Sequence, residues 1–307
     1  MQVAHLHRST GADVSARSRC DRAAIFEAVL GTWRNEVQQR RHLAIPICKR
    51  LLKVKSSSIS IDADDGEEAA EELSDLMEAL PVNQKKTIDD YLNIMLNVNK
   101  TLNLTAIRDK DDAYIRHVAD SLALLPVIEK YATHTNGLKV IDVGSGAGLP
   151  GMILAIVRPD WSVTLLDTLG KRINFINSAA QEIGVGNARG LWARAEDAGK
   201  NKAGFEEREA HDVVIARAVA EMRILAELCL PLVPVGGIWV AAKGVDPSAE
   251  LAASEKAIEE LGGELVAIER VGSQAPEGYR TAVIVRKVRP TPAKYPRRAG
   301  LPNKRPL

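Results

Sequence analysis

Two carboxylates and a run of glycines are the residues of this chain best suited, by type and spacing, to do chemistry. Asp142 is followed by Gly144, Gly146 and Gly148, and Asp167 stands 19 residues after the last of these. Glycines at alternate positions let backbone approach a ligand where a Cβ would clash. The helix expected next, from Gly151 with Pro150 in its first turn, would offer free N–H groups. A carboxylate at the end of the following strand can accept hydrogen bonds from both hydroxyls of a ribose. The pattern therefore indicates nucleoside binding, and two ligand types compete for it. Read from Gly146, the spelling is G-x-G-x-x-G (Gly146, Gly148, Gly151), the dinucleotide fingerprint. Read from Gly144, where the strand ends, it is D-x-G-x-G-x-G, and the dinucleotide register fails at Leu149. An acid ahead of the glycines suits a nucleoside that also carries an amino-acid ammonium, as S-adenosyl-L-methionine does. This favours a class I methyltransferase over a glycine-rich turn in some other α/β sheet.

Further candidates stand at the ends of later strands. Arg194-Ala195-Glu196-Asp197 follow the third strand, where an adenine amino group could meet backbone or carboxylate. Ile215-Ala216-Arg217-Ala218 close the fourth, where a methyl acceptor should face the sulfonium. What is missing narrows that acceptor. Methylation of an exocyclic amino group commonly uses an Asn/Asp-Pro-Pro-aromatic turn, and the residues here are Ala216-Arg217-Ala218-Val219. Methylation at a pyrimidine C5 needs a cysteine nucleophile, and the one cysteine of this region, Cys229, falls inside an expected helix. A ring nitrogen with an in-plane lone pair, such as guanine N7, needs neither device, nor a general base or metal. Catalysis then reduces to positioning and desolvation. His117, on a helix with Arg116, Asp120 and Ser121, is read as structural, with a ligand contact as the alternative.

The elements that must position these residues follow a regular alternation. Strands are expected at Leu138–Val143, Ser162–Asp167, Ala188–Trp192, Val213–Ala216, Gly237–Ala242, Glu264–Arg270 and Thr281–Lys287. Helices are expected at about 150–157, 171–183, 221–232 and 248–261. Seven strands with interleaved helices imply a Rossmann-like α/β fold, a largely parallel sheet covered on both faces. The turn-rich link Gly272–Gly278 has no room for a helix, so the last two strands should pair antiparallel. Ahead of the sheet, Leu73, Leu76, Met77 and Leu80 recur at helical spacing. A second helix is expected from Thr87, a polar loop over Asn97–Thr105, and a third helix from about Asp112 to Tyr131.

The 307 residues carry a net charge of only +1, but that charge is unevenly spread. Residues 1–60 hold 11 Lys/Arg against 4 Asp/Glu, and residues 61–80 hold nine acids and no base. The basic, serine-containing start resembles an organelle transit segment, a disordered or RNA-binding arm being the alternative. The first reading points to a chloroplast, or else a mitochondrion; the second leaves the protein in the cytoplasm. The acidic run Asp62–Glu78 is read as a solvated face or linker. The last nineteen residues hold six bases, five prolines and no acid, which suggests either a phosphate-tracking arm or a tail folded back on the domain. Three widely separated cysteines make neither a disulfide framework nor a zinc spacing, and no stretch is long and apolar enough to span a bilayer. The expected organisation is an extension with an acidic linker over 1–72, a helical region over 73–135, a class I methyltransferase domain over 136–288 and a basic Pro-rich tail over 289–307.

Several of these segments together resemble one family. Asn103-Leu104-Thr105, Arg116-His117-Val118-Ala119-Asp120-Ser121, Asp142 through Gly151, Leu166-Asp167-Thr168-Leu169-Gly170-Lys171-Arg172 and Lys243-Gly244 look like the bacterial small-subunit ribosomal RNA guanine-N7 methyltransferases (RsmG, also called GidB). The resemblance covers about residues 75 to 307, and the first 70 or so have no counterpart in bacterial members. It implies S-adenosyl-L-methionine as cofactor, one guanine of small-subunit rRNA as target, and free rRNA or the small ribosomal subunit as partner. Cofactor contacts carry over to Gly144, Gly146, Leu149, Asp167, Thr168, Leu169, Ala195, Glu196 and Arg217. Arg194, Lys243 and Arg280 match basic positions facing RNA or the target base. A monomer is expected. The rival readings are a non-catalytic RNA-binding ribosome-assembly protein on the same fold, and an NAD-dependent oxidoreductase, for whose second half no chain remains.

Overall fold

The computed structural model describes residues 65–201, 204–217, 220–273 and 279–307. The chain divides into two units, 1–61 and 62–307. The first, and with it the expected transit segment, lies outside the described residues.

Seven strands make one sheet among the described residues: β1 (Lys139–Val143), β2 (Ser162–Asp167), β3 (Ala188–Trp192), β4 (Val213–Arg217), β5 (Ile238–Lys243), β6 (Gly263–Gly272) and β7 (Tyr279–Lys287). Their order is β3-β2-β1-β4-β5-β7-β6. β7 runs antiparallel to both β5 and β6, while the pairs among β1 to β5 are parallel. This is the class I methyltransferase arrangement. The antiparallel β7 placed inside the sheet departs from the all-parallel order of a dinucleotide-binding domain. Consecutive strand residues face opposite layers. Val140, Val163, Leu165, Ile215 and Val240 pack into one core, and Ile141, Leu166, Val214, Trp239 and Val283 into the other. Chain direction reverses its order between β1 and β4, and the crevice outside the carboxyl ends at such a switch point is where ligands bind in open α/β sheets.

The first core is covered partly by the helical region. α1 (Asp65–Ala79) runs across the expected boundary at residue 72, with Leu73 buried. Glu71, Glu72, Asp75 and Glu78 are exposed on it, so the described part of the acidic run is the solvated face of a helix rather than a linker. α2 (Val82–Leu102) begins before Thr87 and continues through most of the stretch expected as a loop. The low helix propensity of its asparagines is overridden by packing: Ile88, Tyr91, Leu92, Met95 and Asn99 all lie on its buried face. It ends where Asn103 adopts a left-handed conformation (φ 49°), which asparagine tolerates at a helix terminus. The expected third helix is interrupted. α3 (Lys110–Ala113), capped by Asp109, opens into a π-helical turn at Tyr114–Ala119, followed by α4 (Asp120–Leu122) and α5 (Leu124–Tyr131). Such turns are frequent at functional sites; His117 lies on this one, and Asp120 directly follows it.

Between the strands lie α6 (Gly151–Val157), α7 (Gly170–Glu182), α8 (Ala195–Ala198), α9 (Met222–Cys229) and α10 (Ser248–Glu260). The basic tail is not an extended arm. Arg208 donates to the carbonyls of Thr291 and Tyr295 at 2.7 and 2.8 Å, Thr291 Oγ1 donates to the Leu261 carbonyl at 2.8 Å, and Tyr295 is buried in the second core. Three of its bases are engaged by the domain: Arg289 by the Glu259 carbonyl, Lys294 by Glu260 and Arg297 by Glu227. The tail ends in a short helix, α11 (Leu301–Lys304).

Candidate active site

β1 delivers the glycine loop to the switch point. Gly144, Gly146 and Gly148 have φ of 77°, 60° and 83°, a region that side chains other than glycine rarely enter. The loop is tied down by its own backbone. Gly144 and Ser145 N–H donate to the Leu166 carbonyl at 2.8 and 3.1 Å, and Gly148 and Leu149 N–H to the Ser145 carbonyl at 2.8 and 2.9 Å. From α2, the buried Tyr91 hydroxyl donates to the Ala147 carbonyl. A Cβ on Gly148 would come within 2.6 Å of that hydroxyl, whereas one on Gly146 would meet nothing nearer than the Gly144 carbonyl at 3.9 Å. Gly148 is therefore required for packing, and Gly146 forms the open side of the loop. Gly151 is also a packing residue: its N–H donates to Asp142 Oδ2 at 2.9 Å, and a Cβ there would press on that carboxylate. The start of α6 is thus held by Asp142, and the G-x-G-x-x-G spelling has no separate role.

Asp167 ends β2 beside the loop. Its Oδ2 accepts from Gly146 N–H at 3.0 Å and from Arg172 at 3.1 Å, and its Oδ1 from Leu169 N–H at 2.8 Å. A carboxylate has about four lone-pair sites. The three internal bonds orient Asp167 and leave capacity for roughly one further donor, unless Arg172 withdraws. Thr168 and Leu169 are exposed next to it. Trp192, paired with Asp167 in register, is 68% exposed and donates from Nε1 to the Thr168 carbonyl at 3.0 Å.

At the end of β3, Arg194 is exposed, while Ala195 and Glu196 are buried at the start of α8. Glu196 Oε1 accepts from Gly300 N–H of the tail at 2.8 Å, so this expected cofactor contact is shared with the folded-back chain. Lys243 is turned inward: Nζ donates to the Ala220 carbonyl at 2.8 Å and pairs with Glu250 at 2.7 Å. It fixes the segment after β4 instead of presenting a free charge to RNA.

Arg217, at the end of β4, is buried within reach of the charges of Asp142 on β1 and Asp120 of the helical region. Buried side-chain atoms without a partner include Arg217 Nη1, Asp142 Oδ1, Ser145 Oγ and His117 Nδ1, at the edge where a polar ligand is expected. Unpaired buried polar groups are costly and call for an explanation. Burial pushes the Asp142 carboxyl up to about 6, against the Gly151 N–H and the Arg217 charge, which favour its ionised form, and with the Asp167 charge adding to the rise. Burial pushes His117 down to about 4, and Arg217 adds to this. His117 Nε2 lies 2.9 Å from Thr105 Oγ1. Asn99 in turn accepts from Thr105 N–H and donates to the Ile107 carbonyl, so the Asn103-Leu104-Thr105 motif is a fixed loop bracing the π-helical turn. Cys229 is buried in α9 with its thiol pushed well above its ordinary value by burial, unlike a nucleophile.

Asp120 stands nearby. Its Oδ1 accepts from Ser273 Oγ at 2.7 Å, and Arg280 Nε lies 3.9 Å from its Oδ2. The structure therefore brings together Gly144, Gly146, Leu149, Asp167 and Arg217, with Arg280 reaching this group through Asp120. Sequence reasoning missed Tyr91, although a tyrosine on the apolar stripe of α2 was a readable signal. It also missed Ser273 and Gly300, for which no local signal exists.

The family model described as rRNA small subunit methyltransferase G matches residues 84–278. Proteins named Ribosomal RNA small subunit methyltransferase G are similar over most of their length. The one from Lactobacillus delbrueckii subsp. bulgaricus is 41% identical over 238 residues, covering 78% of this chain and 98% of the relative. That from Symbiobacterium thermophilum is 44% identical over 223 residues, covering 71% and 87%. That from Moorella thermoacetica is 42% identical over 220 residues, covering 72% and 89%.

Proposed function

Since the chain belongs to the rRNA small subunit methyltransferase G family, we propose that it methylates N7 of a guanine in small-subunit ribosomal RNA, with S-adenosyl-L-methionine as donor. The observation that carries this reading is the union of the open glycine loop, the oriented Asp167 carboxylate and the buried, unbonded Nη1 of Arg217 at one switch point. These residues fit the cofactor. Gly144 and Gly146 keep the loop free of side chains, Asp167 has capacity for a ribose hydroxyl, and Asp142 supplies a carboxylate beneath the loop. When bound, S-adenosyl-L-methionine supplies an electrophilic methyl group on a sulfonium.

The protein's part is to bind, orient and exclude water. N7 attacks with a lone pair and loses no proton, so no base is needed. In agreement with that, the histidine of the site is held neutral by burial, and it braces Thr105. Arg217, desolvated by its surroundings and lying between the charges of Asp142 and Asp120, orients the acceptor by hydrogen bonding. Exposed Arg194 supports contact with RNA phosphates. The test is single-turnover methyl transfer to small ribosomal subunits lacking the modification, with the product base identified by mass spectrometry. Any product other than N7-methylguanine would replace this reading.

The basic first 60 residues support import into a chloroplast, and the charge pattern there is the sole support. A reporter fused to residues 1–64 should enter plastids. Mitochondrial or cytosolic signal would reassign the compartment without touching the chemistry.

A further inference from the structure

Methylation at N7 restricts how the target base can be recognised. Arginine ordinarily reads guanine through N7 and O6, but here N7 must stay free to attack. Recognition falls to the opposite edge, where N1–H and the N2 amino group are donors, and this edge needs an acceptor. Most carboxylates at the carboxyl end of the sheet are already taken. Asp142 is buried against Gly151, Asp167 holds three donors, Glu196 holds Gly300, and Glu250 holds Lys243 and the Met222 N–H.

Asp120 is different. It follows the π-helical turn that interrupts an otherwise helical segment, and its side chain is 13% exposed. One oxygen accepts from Ser273 Oγ, which fixes the plane of the carboxylate, and the other forms an ion pair with Arg280 Nε at 3.9 Å without a hydrogen bond, which leaves it lone-pair capacity for a further donor. Burial raises its carboxyl above the ordinary value, and the Ser273 hydroxyl and the charges of Arg217, Arg280 and Arg116 oppose that rise. Ser273 follows Gly272 of β6, and the register places that end of β6 beside the carboxyl ends of β5 and β4, where Lys243 pairs with Thr281 and Arg217 with Ala242, so Asp120 stands at the sheet edge that also carries the glycine loop.

We propose that Asp120 is a catalytic residue that reads the Watson–Crick edge of the target guanine, accepting from N1–H and the N2 amino group while N7 faces the methyl donor. The proposal rests on the N7-methylguanine reading above. The carboxylate gains a second role from the reaction. The N7 lone pair forms the new N–C bond, the C–S bond breaks with its electron pair going to sulfur, and the positive charge passes to the purine. No proton is transferred. A purine acquiring positive charge is a stronger donor at N1 and N2, so its bonds to Asp120 strengthen toward the transition state. An interaction stronger in the transition state than in the ground state accelerates the step.

The experiment uses small-subunit particles reconstituted with rRNA that carries guanosine or inosine at the methylated position; inosine lacks the N2 amino group. Wild-type enzyme should methylate the inosine particle about 10- to 100-fold more slowly, the cost of one hydrogen bond to a charged acceptor. Asp120→Asn should slow single-turnover transfer to guanosine by about 100- to 1,000-fold with cofactor affinity unchanged, and should show little further loss on inosine. An equal inosine penalty in both enzymes would overturn the role of Asp120. So would a wild-type enzyme indifferent to the N2 amino group, a result that decides the matter even if the variant does not fold. Absence of N7-methylguanine from wild-type enzyme on guanosine particles would instead remove the underlying reading.

Discussion

Arg297 of the tail closes a bidentate ion pair on Glu227 of α9: Nε lies 2.9 Å from Oε1 and Nη2 2.6 Å from Oε2, and the Arg297 N–H donates to Oε1 at 2.7 Å. The Glu227 side chain is fully buried. Arg297→Ala should therefore destabilise the fold by about 3–5 kcal/mol, because it leaves an uncompensated buried charge. Replacing both residues with apolar ones should recover much of this. Equilibrium denaturation of the single and double variants measures it. Removing the tail from Arg289 should likewise register as lost stability before any change in RNA affinity.

The contact between Tyr91 and Gly148 predicts a compensating pair. Gly148→Ala puts a Cβ within 2.6 Å of the Tyr91 hydroxyl at a φ of 83°. It should cost about 1–3 kcal/mol. Tyr91→Phe removes the obstructing oxygen, so Gly148→Ala should cost less in that background. A double-mutant cycle of unfolding free energies should show the coupling, and strict additivity would mean that the loop relieves the clash by another route.

Asp167→Asn keeps the shape of the side chain but replaces an anionic acceptor. Loss of a hydrogen bond to a charged acceptor costs about 1.5–3 kcal/mol, so cofactor affinity should fall about ten- to a hundred-fold. Gly146→Val should abolish measurable binding by filling the open side of the loop at a φ of 60°. Calorimetric titration of S-adenosyl-L-methionine into folded variants checks both. Wild-type affinity in the two would place the cofactor elsewhere.

Asp142 and His117 set opposing pH dependences. The Asp142 carboxyl is raised to about 6, so between about pH 4 and 6 the unfolded chain ionises first and stability falls as pH rises. His117 is lowered to about 4, so over about pH 4 to 6.5 the unfolded chain binds the extra proton and stability rises with pH. The two largely cancel in the wild type. Asp142→Asn removes the first effect, and stability should then rise steeply from pH 4 to 6.5. Cofactor affinity, which should tighten in the wild type as Asp142 ionises near pH 6, should become flat in this variant. Denaturation and titration across pH 4–8 provide the measurement.

Much of this protein was determined locally. Short apolar runs placed all seven strands to within a residue or two, because central strands covered on both faces bury nearly every side chain. The glycines of the β1 loop were legible because only glycine takes their backbone angles cheaply, and the strand-end positions of Asp167 and Arg217 followed from the same pattern. What the chain could not disclose locally depends on contacts between distant residues. α2 persists through its asparagines because Asn99 finds partners in a later loop. Asp120, just after the π-helical turn, meets its donor in Ser273, more than 150 residues away. Lys243 reads as a free cation until Glu250 and the Ala220 carbonyl are placed around it. The tail, with six bases and five prolines, has the composition of an arm. A buried carboxylate on α9 holds it against the domain, since the cost of leaving Glu227 unpaired is larger than that of ordering a short proline-rich segment.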